Sequence, residues 1–281
     1  MTYVSFDIGG TKTRVGFSKD LKTLDHFDSF KTPNNFKEGI QKMTDLIKEN
    51  VDGEVTGIAG GIRGPLNEDK TGIQNDSVIT DWINQSVVGA LKKNFPKAKV
   101  FLENDSAVAG LGEAVYGAGK ELDIVAYHTV STGVGGVKIE SGEIDVASVG
   151  FEPGHQILDI DRTVLGDEIV PTLENLVSGT ALAERFGMPA YDIPQDDVVW
   201  DELAEYLAQG LRNTIMYWSP EVIVLGGSMI VGDPAIMVDT IRKYTVESLD
   251  GFVESPLIVK ASLGDEAGLY GGLAILKKKQ K

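Results

Sequence analysis

The chain has 281 residues, a formal charge of −16 and no cysteine, with 42% hydrophobic and 24% charged residues. That is the composition of a globular protein able to bury one large core or two smaller ones, and its acidity argues against general affinity for nucleic acid or anionic membranes. The missing cysteines exclude disulfides, thiolate catalysis and Cys-held zinc or iron–sulfur groups, and no apolar run approaches the roughly 18 residues of a membrane span. Strand-like residues from Tyr3 leave no room for a signal peptide, so a cytoplasmic location is expected.

In chain order, Tyr3 to Phe6 reads as a strand, followed by the turn Asp7-Ile8-Gly9-Gly10-Thr11-Lys12-Thr13 and a second strand over Arg14 to Phe17. Leu24 to Phe30 suits a third. Phe36, Ile40, Met43 and Ile47 recur at helical spacing and mark one face of a helix. Val55 to Ala59 reads as a strand ending in the loop Gly60 to Pro65. A helix with Val87, Val88, Leu91 and Phe95, a strand over Val100 to Leu102 and a closely packed helix over Asp105 to Tyr116 follow. The first half therefore reads β-β-β-α-β-α-β-α. The second half begins again with a strand, Ile124 to Val130, a turn, Ser131-Thr132-Gly133-Val134-Gly135-Gly136, and a strand, Val137 to Ile139. Irregular segments with Pro153, Pro171, Pro189 and Pro194 come next. A long helix carries the stripe Val199, Leu203, Tyr206, Leu207, Leu211, Ile215 and Trp218. Val222 to Leu225 reads as a buried strand ending in Gly226-Gly227. A helix around Pro234 to Leu249, a strand over Leu257 to Val259 and a helix from Asp265 complete the chain, and Lys277 to Lys281 reads as a frayed, solvated tail. Such alternation implies an α/β fold with helices covering mixed sheets, and a lobe boundary near Gly117 to Glu121.

The strand–turn–strand device thus occurs twice, each time with glycines and hydroxyls. Turns of this kind free backbone N–H groups to meet an anion, and a pair of them facing across a cleft would grip a polyphosphate from both sides. Gly117-Ala118-Gly119-Lys120-Glu121 lacks the Ser or Thr of a P-loop, and Gly133 to Lys138 fails the dinucleotide spacing. Asp105, after Glu103 and Asn104 at a strand end, reads either as a helix cap or as a carboxylate that accepts the proton of an attacking alcohol. The helix N-terminus beside it is expected to lower its pKa. Glu152-Pro153-Gly154-His155 and Glu174 read, by spacing alone, as an exposed turn and a helix-start charge. His26 and His128 read as packing or surface residues.

With these motifs in order along nearly its whole length, the chain resembles the ROK family (repressor, open reading frame, kinase), sugar kinases of the actin/hexokinase fold. Asp7 to Gly16 and Thr129 to Gly136 resemble its two phosphate loops, and Leu102 to Asp105 its catalytic-aspartate motif. Glu152 to His155 matches its Glu-x-Gly-His signature, and Leu225-Gly226-Gly227 its adenosine-side glycine pair. Gly264 to Gly272 resembles the family's closing helix region. The resemblance implies a two-lobed α/β, ribonuclease H-like fold with mixed sheets flanked by helices and with ATP and sugar in the interlobe cleft. It implies an N-terminal lobe over residues 1–118, completed by a helix over 268–281, and a C-terminal lobe over 119–267.

It also implies γ-phosphoryl transfer from ATP, with Mg²⁺, to a hexose hydroxyl, the 6-OH of glucose or of an N-acetylhexosamine, with fructose as the alternative acceptor. On that reading Asp105 is the general base, and Gly61, Arg63, Asn104, Glu152, His155 and Glu174 face the sugar. Gly9, Gly10, Thr11, Lys12, Thr132, Gly133, Gly226 and Gly227 bind the nucleotide, and Asp7 meets Mg²⁺ through water. A homodimer with no nucleic-acid or membrane partner is implied. The family's zinc cysteines fall here at Leu165, Asp167 and Thr172, so no zinc is expected. Packing of Ile160, Val164, Leu165 and Ile169 is expected to hold that segment instead. A loop of Ala59-Gly60-Gly61-Ile62, without the family's proline, and a short stretch from Gly187 to Val198 also depart from the pattern. Two other readings are a sugar-sensing regulator of the same family without kinase activity, disfavoured by the acidic charge, and an ATP-gated chaperone-like protein.

Overall fold

The computed structural model describes residues 2–147 and 150–280, so Lys281 of the expected tail lies outside the described residues. Along the chain the strands are β1 (Thr2–Ile8), β2 (Lys12–Ser18), β3 (His26–Lys31), β4 (Val55–Ile62), β5 (Lys99–Asn104), β6 (Ile124–Val130), β7 (Val134–Glu140), β8 (Glu143–Ile144), β9 (Val222–Gly226) and β10 (Leu257–Lys260). The helices are α1 (Phe36–Asn50), α2 (Val87–Asn94), α3 (Asp105–Tyr116), α4 (Leu173–Val177), α5 (Gly179–Phe186), α6 (Val199–Trp218), α7 (Ser228–Val231), α8 (Val238–Leu249) and α9 (Ala267–Lys279). The chain divides into two compact units, residues 1–116 with 265–281, and residues 117–264.

In the first unit the sheet order is β3-β2-β1-β4-β5, and in the second it is β8-β7-β6-β9-β10. In both, an antiparallel hairpin leads into two parallel strands, so the repeated turn motif belongs to a repeated sheet topology. Helix α1 starts where the Asn35 side chain accepts the Glu38 N–H at 3.0 Å, and it buries Ile40, Met43 and Ile47 against Phe6, Ile8 and Ile58. Helix α6 buries Val199, Leu203, Leu207, Leu211 and Ile215 against Ile223 and Leu225 of the second sheet. His128 on β6 is fully buried, its Nε2 3.0 Å from the Thr214 hydroxyl and its ring stacked on Trp218. Burial pushes its pKa down to about 4, so it is a neutral packing residue.

The chain's last helix packs in the first unit through glycines. A Cβ on Gly271 would fall on the carbonyl of Val108, and one on Gly112 on the carbonyl of Ala267. Helices α3 and α9 therefore touch backbone to backbone. Gly271→Ala forces them apart against native packing, and we expect about 3 kcal/mol of lost stability, measured by urea unfolding.

Three expectations are corrected. Lys277 to Lys279 are exposed as expected but not frayed: they form the last turn of α9, with Lys277 over the Tyr116 ring at 5.4 Å and Lys279 over Phe101 at 5.7 Å. Helix α4 has Glu174 in its first turn, as its helix-start reading has it, but α4 and α5 otherwise stand where irregular chain was expected, started by the Thr172 and Ser178 hydroxyls that accept N–H groups of Asn175 and Ala181. The zinc-motif segment is not held by the apolar side chains proposed for it. Leu165 is buried, but Ile160 is 75% exposed and Val164 and Ile169 are exposed as well. The Asp159 carboxylate organises it instead, accepting the N–H groups of Thr163, Val164 and Leu165 at 3.0, 3.2 and 2.8 Å. Those bonds hold its pKa below the usual carboxylate value despite its burial.

Candidate active site

In the first unit the site grows from the carboxyl ends of parallel strands, where α/β sheets present ligand-binding groups. Register sets Arg14 of β2 beside Asp7 of β1, Asp7 beside Gly61 of β4, and Gly61 beside Glu103 of β5. One residue further, Ile8, Ile62 and Asn104 share a row, and the chain enters α3 at Asp105. Gly61 is where β4 approaches that entry, since a Cβ there would lie 2.8 Å from the Asp105 Cα. Asn104 caps α3, its Oδ1 accepting the N–H groups of Ser106 and Ala107 at 3.0 and 3.2 Å. Its Nδ2 makes only a long bond to the Gly64 carbonyl at 3.4 Å. The capping reading and a substrate role for Asn104 are thus compatible: its oxygen is committed, and its amide retains donor capacity.

Asp7 faces Arg14, with Oδ2 3.3 Å from Nη1, while Nη2 of the same arginine reaches Asp265 at 2.7 Å. Burial and then the charge of Asp105 raise the Asp7 pKa to about 7 against the pull of Arg14. Asp105 accepts the Ser106 N–H at 2.8 Å. Its pKa lies above the carboxylate reference, which overturns the expectation that the helix N-terminus lowers it. Burial outweighs the N–H of Ser106 and the charge of Arg63. A carboxylate so placed is a better proton acceptor for an alcohol than an ordinary surface aspartate.

The first glycine turn is closed by Gly9 N–H to the Lys12 carbonyl at 3.1 Å and braced by the Thr32 hydroxyl donating to the Gly9 carbonyl at 2.8 Å. Thr13 is buried against Thr32, whereas Thr11 and Lys12 stand exposed at the turn. Gly10 carries the Arg63 guanidinium against its Cα, where any side chain would collide with it.

In the second unit the expected residues gather on the second glycine turn. Glu174 in α4 accepts the Val134 N–H at 2.7 Å, and a Cβ on Gly133 would stand 2.6 Å from the same oxygen. The Glu152 to His155 turn packs on β7, where a Cβ on Gly136 would meet Pro153 at 2.7 Å and one on Gly154 would overlap the Val134 carbonyl. Glu152, His155 and Thr132 are exposed. Gly226 ends β9 in register with Thr129, and Gly227, at φ 86°, fits under the Val130 carbonyl where no Cβ has room. Ser131 links the turn to Ser228 through their hydroxyls at 2.9 Å. A carboxylate fastened to a turn amide, an exposed His–Glu turn and glycine-bounded amides form a polar surface suited to hydroxyl and phosphate ligands.

Sequence reasoning missed Arg14, Asp265, Asp76 and Ser228. Arg14 had a signal, because the hairpin places it opposite Asp7. Asp265, Asp76 and Ser228 reach their partners only through tertiary folding. Among the described residues no group of three His, Asp or Glu side chains is arranged to hold a metal.

The model of the ROK family matches residues 3–279. A fructokinase of Lactococcus lactis subsp. cremoris is 30% identical over 92% of this chain and 89% of its own. A glucokinase of Thermotoga maritima is 26% identical over 98% of this chain and 97% of its own. Among solved structures, the ROK hexokinase of Thermus thermophilus is 27% identical, covers 100% of both chains and superposes with a TM-score of 0.81. The chain belongs to the ROK family.

Proposed function

We propose that this protein is an ATP-dependent hexose kinase that transfers a phosphoryl group to a sugar hydroxyl. The observation carrying it is Asp105, a carboxylate of raised pKa at a strand end, two strands from Asp7 and its glycine turn, in a chain whose relatives are sugar kinases. Asp105 accepts the hydroxyl proton as the oxygen attacks. Asn104 and the loop at Gly61 from the first unit, and Glu152, His155 and Glu174 from the second, recognise the sugar. Gly9, Gly10, Thr11 and Lys12, and from the second unit Thr132, Gly133, Gly226 and Gly227, recognise the nucleotide.

The residues fit these groups. Thr11, Lys12 and the amides of Gly10 and Thr132 are donors suited to phosphate oxygens, and the side-chain-free surfaces at Gly10 and Gly227 admit no Cβ. Asp7 is a carboxylate beside the glycine turn, within electrostatic reach of Asp105 and paired with Arg14, which also holds Asp265. Though no three such side chains are grouped among the described residues, one hard oxygen donor suits Mg²⁺, which keeps several waters and needs only one or two carboxylates besides phosphate. Asp7 would hold it through water, and when bound it neutralises phosphate charge. Because transfer of this kind depends on placement and charge neutralisation, no covalent nucleophile is required. A homodimer acting in the cytoplasm completes the reading.

The acceptor is the 6-OH of glucose or of an N-acetylhexosamine, with D-fructose as competitor because several relatives are fructokinases. Coupled ADP release with Mg-ATP over D-glucose, D-fructose, D-mannose, N-acetyl-D-glucosamine and N-acetyl-D-mannosamine tests it. At least one sugar should raise ADP release well above the sugar-free rate. Equal rates with and without every sugar would exclude the kinase reading.

A further inference from the structure

Arg63 is held in a way that the sugar-side reading does not explain. Its backbone N–H donates to the Ile8 carbonyl at 3.1 Å, which fixes the residue at the end of β1. Its Nε donates to Asp76 Oδ2 at 2.7 Å, and that carboxylate is 3% exposed. Asp76 is itself fastened, accepting the N–H groups of Val78 and Ile79 at 2.6 and 2.8 Å. Although burial opposes it, these bonds and the Arg63 charge keep its pKa below the reference, so the anchor is an ion.

The far end of the same guanidinium is free. Among the described residues neither Nη1 nor Nη2 has a hydrogen-bond acceptor, and Nη1 lies against Gly10 in the first glycine turn. Its side chain is 32% exposed, so the terminal donors reach solvent. Arg14, by contrast, spends both terminal nitrogens on Asp7 and Asp265. A planar fork clamped at one nitrogen, with four terminal N–H groups unspent, is preorganised for two oxygens of one anion. The surrounding carboxylates make such a cation necessary, because a phosphoryl group arriving beside Asp7 and Asp105 meets negative charge. The Arg63 charge is also felt at Asp105, so the fork lies within electrostatic range of both turn and base.

Resting on the kinase reading above, we infer that Arg63 is a catalytic residue whose terminal nitrogens bind the transferring phosphoryl group of ATP rather than a sugar hydroxyl. The γ-phosphorus–oxygen bond to ADP breaks as the bond to the sugar oxygen forms, and Asp105 takes the hydroxyl proton. The fork's donors meet the equatorial phosphoryl oxygens, where charge must be held in the transition state.

The test compares wild type with Arg63→Gln, Arg63→Lys and the double variant Arg63→Gln/Asp76→Asn. The double variant removes the unpaired buried carboxylate that could destabilise the single Gln variant. Calorimetric titration without sugar gives the Kd of Mg-ATP and of Mg-ADP, and steady-state kinetics use whichever panel sugar the wild type turns over fastest. Expected for both Gln variants are ATP binding weakened about tenfold with ADP binding unchanged, and kcat lowered roughly 10²- to 10³-fold with sugar KM nearly unchanged. Arg63→Lys should recover part of the loss, since it keeps the charge without the fork. A large rise in sugar KM with the ATP-to-ADP preference intact would place Arg63 on the sugar and overturn the assignment. So would a normal kcat in all three variants. A wild type that binds neither nucleotide and phosphorylates no panel sugar would instead sink the kinase reading, and this assignment with it.

Discussion

Asp105→Asn is expected to lower turnover roughly 10³-fold while leaving Mg-ATP affinity within about twofold of wild type. Asparagine keeps the size and the N–H contact at Ser106, so the start of α3 is preserved. It cannot take a proton, so the hydroxyl attacks without a base. The raised pKa of Asp105 also shapes the pH profile. Burial holds its proton to a higher pH than an exposed aspartate would allow, so the acid limb of kcat/KM should lie above the usual carboxylate range and vanish in the variant. A variant retaining wild-type kcat would remove Asp105 from the chemistry. Loss of ATP binding would show damage to the fold rather than to the reaction.

The second large effect concerns Asp7, and it is a stability effect. In the folded protein its pKa is about 7, against 3.8 as the reference value. A carboxyl whose folded pKa is raised contributes stability that is complete below the unfolded value and is lost as pH rises through the folded one. Wild type should therefore lose stability between about pH 4 and pH 7, by at most roughly 4 kcal/mol for a shift of about three units. Asp7→Asn cannot ionise and should not show this loss. Urea unfolding in metal-free buffer should find the variant gaining on wild type as pH is raised from 4.5 to 8, although its turnover is lost. A difference that stays constant with pH would show that Asp7 carries no ionisation penalty.

Much of the architecture is legible because it rests on periodicity. The stripes of α1 and α6 bury as their spacing demands, and the Asp105 to Tyr116 helix has the expected bounds. Both glycine turns link the strand pairs that the apolar runs suggest. What escapes the sequence depends on local hydrogen bonds or on distant partners. Helices α4 and α5 are too short to show a period and stand among prolines, so only their Thr172 and Ser178 caps, and the helix-start charge of Glu174, betray them. Over residues 159–170 apolar side chains suggested a packed plug, yet one carboxylate collecting three amides shapes the segment. Whether an aspartate turns back on its own chain is a question of backbone dihedrals, which composition does not carry. At the site, residue types at Asp7, Asn104 and Asp105 were legible from the strand ends, but their electrostatics were not. The direction of the Asp105 pKa depends on how much protein surrounds it, and burial prevails over the helix terminus. Arg63 lay in a recognised loop, but its anchor at Asp76 and its unspent nitrogens appear only once the chain is folded.

Phosphorus NMR of the reaction mixture, run with Mg-ATP and the preferred sugar, tests the central claim most directly. The account predicts one sugar phosphomonoester for each ADP formed, with little inorganic phosphate, and no phosphomonoester with Asp105→Asn. Inorganic phosphate as the main product, at a rate indifferent to sugar, would contradict it.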